Sequence, residues 1–112
     1  MSRIRFISIE ELLEMRANDQ DFKLVDVLSE KSFNESHIPG AINLPLDDSW
    51  SEETLAKEGL TKDDTIVVYC ASYACQKSTK ATKKLLELGY AKTFDFKIGK
   101  RGWTQAGLQF EK

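Results

Sequence analysis

Thr65-Ile-Val-Val-Tyr-Cys-Ala-Ser-Tyr-Ala-Cys-Gln-Lys-Ser-Thr-Lys-Ala-Thr-Lys-Lys-Leu-Leu-Glu-Leu-Gly89 reads as a buried strand, a loop and a helix in succession. Ile66, Val67 and Val68 form a β-branched apolar run, the pattern of a strand covered on both faces. Ala81, Leu85 and Leu88 recur at i, i+4 and i+7, and Leu86 widens that stripe, so the second half is an amphipathic helix. Gly89 stands where a left-handed residue closes such a helix. Both cysteines of the chain, Cys70 and Cys75, fall in the loop between them. Cys70 is therefore expected at the carboxyl end of a strand, facing a helix N-terminus. Unpaired N–H groups and the helix dipole favour an anion there, and a thiolate is one.

Working outward, the same alternation of strand and helix recurs. Lys23-Leu-Val-Asp-Val is a second buried strand, in which Asp26 must find hydrogen-bond donors from neighbouring loop amides. Ser8-Ile-Glu-Glu offers a capping box for a helix from about Ile9 to Ala17. Ser29 caps a short helix to about Asn34 with Phe33 as its anchor. His37-Ile-Pro-Gly is a turn, followed by a short strand Ala41–Leu44. Ser49-Trp-Ser-Glu suggests a further capped helix stopped by Gly59, and Tyr90–Phe96 a last strand. Gly99 to Gly102 reads as a flexible turn, with a terminal helix beginning at Trp103. Ile4 to Ile7 suits a short first strand. The expected architecture is α/β: a single domain over residues 1–112, with a central, mostly parallel five-stranded sheet flanked by helices on both faces.

Composition narrows the function classes. The chain has 112 residues, 41% hydrophobic and 30% charged, which fits one compact core and not a disordered segment. No apolar run approaches the ~20 residues of a membrane span, and Met1 to Glu10 has no apolar signal-peptide centre. A cytoplasmic location is the expectation, and two cysteines five positions apart suit a reducing compartment. The net charge of −2 conceals an asymmetry. Residues 1–60 carry 6 basic and 13 acidic side chains, whereas residues 61–112 carry 10 basic and 5 acidic. If Lys77, Lys80, Lys83, Lys84, Lys97, Lys100 and Arg101 converge, they form a field that attracts small anions. The acidic total and the lack of a recognition motif argue against nucleic acid. Cys70, Cys75 and His37 are too few for a structural zinc site, so no metal is expected. A cysteine phosphatase needs arginine six positions after its cysteine, where Gln76 stands, and a thioredoxin-type centre needs Cys-x-x-Cys.

Leu24-Val-Asp-Val, Glu35-Ser-His-Ile-Pro-Gly-Ala-Ile-Asn-Leu-Pro45, Ile66-Val-Val-Tyr-Cys70, the Ser78–Gly89 helix and Asp95-Phe-Lys-Ile-Gly-Lys-Arg-Gly-Trp103 occur in that order. Together, from about Ser8 to Phe110, they resemble the rhodanese-like sulfurtransferase domain. The resemblance implies that Cys70 is a catalytic nucleophile that takes a sulfane sulfur from a small anionic donor such as thiosulfate and holds it as a persulfide. The acceptor would be cyanide, a thiol or a partner protein's cysteine, and no cofactor is implied. Ala71, Ser72, Tyr73, Ala74, Cys75, Gln76 and Lys77 would bind the substrate, with their amides as a cradle and Lys77 as the supporting cation. Asp26, Lys100 and Arg101 are further supporting candidates, and Trp103 a weaker one. The family's loop usually has four residues between the cysteine and a basic residue, whereas six separate Cys70 from Lys77. The Arg that usually follows the strand-end Asp-Val is Leu28 here. Two alternatives stay open. Cys75 could be a resolving cysteine, which would make the chain a thiol–disulfide redox protein, or the domain could be a non-catalytic binding or sulfur-carrier module.

Overall fold

The computed structural model describes residues 4–112; residues 1–3, the start of the stretch read above for a signal peptide, lie outside the described residues. The described residues form five strands: β1 (Arg5–Phe6), β2 (Lys23–Asp26), β3 (Ile42–Asn43), β4 (Ile66–Tyr69) and β5 (Thr93–Phe96). They lie in the order β1-β5-β4-β2-β3, and every pairing is parallel. The helices between them are α1 (Ile9–Ala17), α2 (Glu30–Glu35), α3 (Glu52–Lys57), α4 (Lys77–Glu87) and α5 (Gly99–Gln105).

β4 is central, and each of its four residues is buried. Because strand side chains alternate, this one strand supplies both cores. Ile66 and Val68 pack with Val25, Leu55, Ala81 and Leu85 on the face covered by α3 and α4. Val67 and Tyr69 pack with Leu24, Phe96, Leu12 and Trp103 on the face covered by α1 and α5. Each fully buried aliphatic side chain of this kind contributes about 1.5–3 kcal/mol. The β-branched run at Ile66–Val68 thus places Cys70, the next residue but one, at the carboxyl edge of a sheet held from both sides.

Local signals set most of the helix ends. The Ser8 hydroxyl accepts from Glu11 N–H (3.1 Å) and the Glu11 carboxylate accepts from Ser8 N–H (3.0 Å), so α1 starts with the expected capping box. The cap of α3 is Ser51, not Ser49: Ser49 donates its N–H and hydroxyl to Asp47, and Ser51 pairs reciprocally with Thr54. The expected strands at Ala41–Leu44 and Tyr90–Phe96 shorten to Ile42–Asn43 and Thr93–Phe96.

The largest departure lies at Gly99–Gly102, which belongs to α5 and is not a flexible turn. Lys100 N–H donates to the Cys70 carbonyl oxygen (3.0 Å) and Arg101 N–H to that of Ala71 (2.9 Å). The first turn of α5 thereby spends its free amides on the cysteine loop, which orders it. Gly99 has φ +58°, and a Cβ there would overlap the Cys70 carbonyl oxygen. Glycine is required by this close approach.

Candidate active site

The loop of residues 70–76 joins β4 to α4 outside the carboxyl ends of the strands, where ligands bind in open parallel sheets. Gln76, the residue before α4, makes no side-chain cap. Its place is taken by sulfur. The Ser78 N–H faces the sulfur of Cys70, and the Lys77 N–H faces that of Cys75. Orphan amides at a helix head need an acceptor, and a thiolate meets that need.

The two sulfurs are not equivalent. Cys70 has no solvent-exposed surface (0%). Its thiol donates to the Cys75 carbonyl oxygen at 3.4 Å, and the Ser78 hydroxyl lies 3.4 Å from the same sulfur. Burial pushes the Cys70 thiol up, and donation to Cys75 adds to that, against the opposing Ser78 contacts. Cys75 is partly exposed. Partial burial opposes its ionisation as well. The Cys70 thiol, the amides of Lys77 and Ala71 and the charge of Lys77 outweigh that and hold Cys75 below the ordinary thiol range. The expectation of a lowered Cys70 thiol is therefore corrected. Within the loop, Cys75 occupies the more exposed position and Cys70 the enclosed one. Sequence spacing placed both cysteines in this loop but gave no signal for which one packs beneath the other.

The remaining candidates are placed unevenly around this pair. The Ala71 amide is among the groups that favour the Cys75 thiolate. Ser72 supplies the carbonyl that accepts the Cys75 N–H (3.0 Å), which closes the outer turn of the loop. Tyr73 is 67% exposed, with the Lys97 ammonium 5.0 Å from its ring centre. Lys100 sets its ammonium 3.4 Å from the Ser32 carbonyl and hydroxyl oxygens, and Arg101 is exposed. These two residues act on the loop through their backbone amides. Trp103 lies in the core beneath α5.

Asp26 is a buried structural acceptor. Its carboxylate accepts from Leu28 N–H (2.9 Å) and from the Tyr69 hydroxyl (2.8 Å), and Tyr69 oxygen in turn accepts from Ile38 N–H (3.0 Å). This chain ties β2, β4 and the His37–Gly40 turn together. The Leu28 amide is the loop donor expected for Asp26, whereas Tyr69, 43 residues away, was not foreseen. Burial raises the Asp26 carboxyl above its usual value, against the Leu28 and Tyr69 hydrogen bonds. Burial and Asp26 likewise raise the Tyr69 hydroxyl. His37 stacks on Phe33 at 3.8 Å, sets Nδ1 against the Phe33 carbonyl (2.9 Å), and pairs by backbone with Glu111. Its place is in the turn. Among the described residues, no three His, Cys, Asp or Glu side chains converge as a metal set. No described helix is long and apolar enough to cross a membrane.

A parallel five-stranded sheet with a cysteine loop between its central strand and the following helix defines a class, and sequence comparison identifies it. The chain belongs to the rhodanese-like domain family, whose model matches residues 8–106. It is 28% identical to a sulfurtransferase of Allochromatium vinosum over 91% of this chain and 90% of that protein. It is 30% identical to the thiosulfate sulfurtransferase GlpE of Shewanella oneidensis over 95% of this chain and 98% of that one. A Bacillus subtilis protein, YrkF, for which a sulfur-carrier role is proposed, is 28% identical over 92% of this chain, and the chain spans about half (52%) of its length. Among solved structures, the BH2092 protein of Bacillus halodurans superposes with a TM-score of 0.82 at 28% identity, covering 96% of this chain and 76% of that one.

Proposed function

We propose that this chain is a sulfurtransferase that moves a sulfane sulfur from thiosulfate or a persulfide donor to a thiophilic acceptor, holding it as a persulfide on Cys70. The observation that carries this reading is the placement of Cys70. It directly follows the central strand of a rhodanese-like domain, with its sulfur 3.4 Å from the Ser78 hydroxyl at the head of α4. A covalent carrier splits the transfer into two easier displacements. Amides aimed at the sulfur stabilise the anion that each displacement creates or releases. The name of the relative GlpE, a thiosulfate sulfurtransferase, supports thiosulfate as donor. Cyanide, a small thiol or a protein cysteine is the acceptor in this reading, because each is a nucleophile able to attack a persulfide's outer sulfur.

The test is intact-protein mass after incubating reduced protein with thiosulfate. The expected result is a gain of about 32 Da, one sulfur atom, which peptide mapping assigns to Cys70 and which cyanide removes. A loss of two hydrogens would instead assign Cys70 and Cys75 to a disulfide couple. No change with any donor would overturn the reading.

A further inference from the structure

The two loop thiols differ in what a reagent arriving from solvent can reach. Cys70 has no exposed surface and lies beneath the Cys75 carbonyl oxygen. Cys75 lies in the outer turn of the loop, its N–H donating to the Ser72 carbonyl, and is partly exposed, and the nearby Ala71 and Lys77 amides favour its thiolate. Two cations stand on the same rim: Lys77 at the head of α4, and Lys97 over the exposed Tyr73 ring. An anionic donor approaching that rim meets the sulfur of Cys75 before it meets that of Cys70. Attack on a sulfane sulfur requires an accessible thiolate.

We propose that sulfur enters and leaves the loop through Cys75, and that Cys70 is the enclosed site that stores it. This inference rests on the sulfur-transfer reading above and assigns the loading step within it.

In the first step the Cys75 thiolate attacks the outer sulfur of thiosulfate. A Cys75 Sγ–S bond forms, the S–S bond of thiosulfate breaks, and sulfite leaves with the bonding pair. In the second step the Cys70 sulfur attacks the outer sulfur of the Cys75 persulfide. A Cys70 Sγ–S bond forms, the bond to Cys75 Sγ breaks, and Cys75 departs as the thiolate that the Ala71 and Lys77 amides hold. The Cys70 proton passes to the transferred sulfur. No outside oxidant or reductant is consumed, and the second step runs backward for delivery. Once the sulfur is back on Cys75, an acceptor thiolate or cyanide attacks it and Cys75 leaves. A thiolate that is well stabilised is the better leaving group. Storage on Cys70 keeps the sulfur away from sulfite, the product that would reverse loading.

The experiment is a quenched time course with thiosulfate on wild type, Cys75→Ser and Cys70→Ser. Alkylation at each time point and peptide mass mapping then locate the sulfur. In wild type, sulfur is expected on Cys75 first and on Cys70 later. In Cys75→Ser, loading of Cys70 is expected to slow at least tenfold. In Cys70→Ser, Cys75 is expected still to take up one sulfur, and added sulfite to strip it at least tenfold faster than it strips wild type. Loading of Cys70 in Cys75→Ser at the wild-type rate overturns this inference and leaves the sulfur-transfer reading standing. So does a Cys70→Ser protein that takes up no sulfur while wild type does. If wild type itself gains no sulfur, both readings fall. The wild-type time course decides the order even if one variant folds poorly, because sulfur on Cys70 before Cys75 also overturns the inference.

Discussion

Gly99→Ala is expected to destabilise the protein by about 2–5 kcal/mol, against a total stability of roughly 5–15 kcal/mol for a domain of this kind. Two costs add. Gly99 has φ +58°, and an L-residue in that left-handed region costs about 1–2 kcal/mol. The new Cβ would also overlap the Cys70 carbonyl oxygen and come within 2.9 Å of the Cys70 carbonyl carbon. Both are backbone atoms, so no side-chain rotation relieves the contact, and overpacking of this sort costs about 1–3 kcal/mol. Gly107→Ala separates the two terms. Gly107 has φ +79° with nothing within 4 Å of the added Cβ, so only the backbone cost of about 1–2 kcal/mol applies. Urea unfolding of both variants measures the difference. If Gly99→Ala is no less stable than Gly107→Ala, α5 does not press on the cysteine loop as described. The functional consequence follows from the same contact. The Cys70 carbonyl that the new methyl would displace is the acceptor of Lys100 N–H, so the loop moves with it.

This coupling between α5 and the cysteine loop also marks where the sequence stopped being informative. The apolar run Ile66–Val68 and the Ser8–Glu11 capping box are local. The residues that make each feature are adjacent in sequence, so the fold class and the bounds of α1 were legible. The first turn of α5 is fixed by carbonyls of Cys70 and Ala71, some thirty positions earlier, and Gly99–Gly102 taken alone carries only the signal of two glycines. The shift of the α3 cap from Ser49 to Ser51 has a similar cause at shorter range, because Asp47 captures the first serine. The site was legible as a loop and not as a chemistry. Strand and helix periodicity put both cysteines at the right edge of the sheet. Which sulfur is enclosed depends on how the four residues between the cysteines fold over one another, and no periodicity encodes that. Lys100 and Arg101 show the same limit: sequence marks their charge, whereas the structure employs their amides.

Tyr69→Phe is expected to cost about 2–5 kcal/mol although it removes one oxygen atom. That oxygen donates to the buried Asp26 carboxylate and accepts from Ile38 N–H. Deleting it leaves one oxygen of the buried carboxylate, whose other oxygen keeps the Leu28 amide, and the Ile38 amide unpaired in the interior, and each such group costs about 1–3 kcal/mol, the charged one at the upper end. The change is nearly isosteric, so a cavity contributes little and the loss reports the hydrogen bonds. The pH dependence identifies the group responsible. Burial raises the folded-state carboxyl of Asp26 above its unfolded value. The native state therefore binds the Asp26 proton more tightly than the unfolded chain does. The resulting stabilisation is fully present below the ordinary Asp value of about 4 and is lost as pH rises through the raised folded value. Tyr69→Phe removes a hydrogen bond that favours the carboxylate, so Asp26 rises further and its loss of stability extends to higher pH. Asp26→Asn removes this titration, and the difference between wild type and Asp26→Asn isolates it from the other carboxylates. Urea unfolding from about pH 4 to about pH 8 should give wild type a larger fall in stability than Asp26→Asn, and Tyr69→Phe a larger fall still. Equal slopes for all three would mean that Asp26 is solvated, and the network joining β2, β4 and the His37–Gly40 turn would lose its charge.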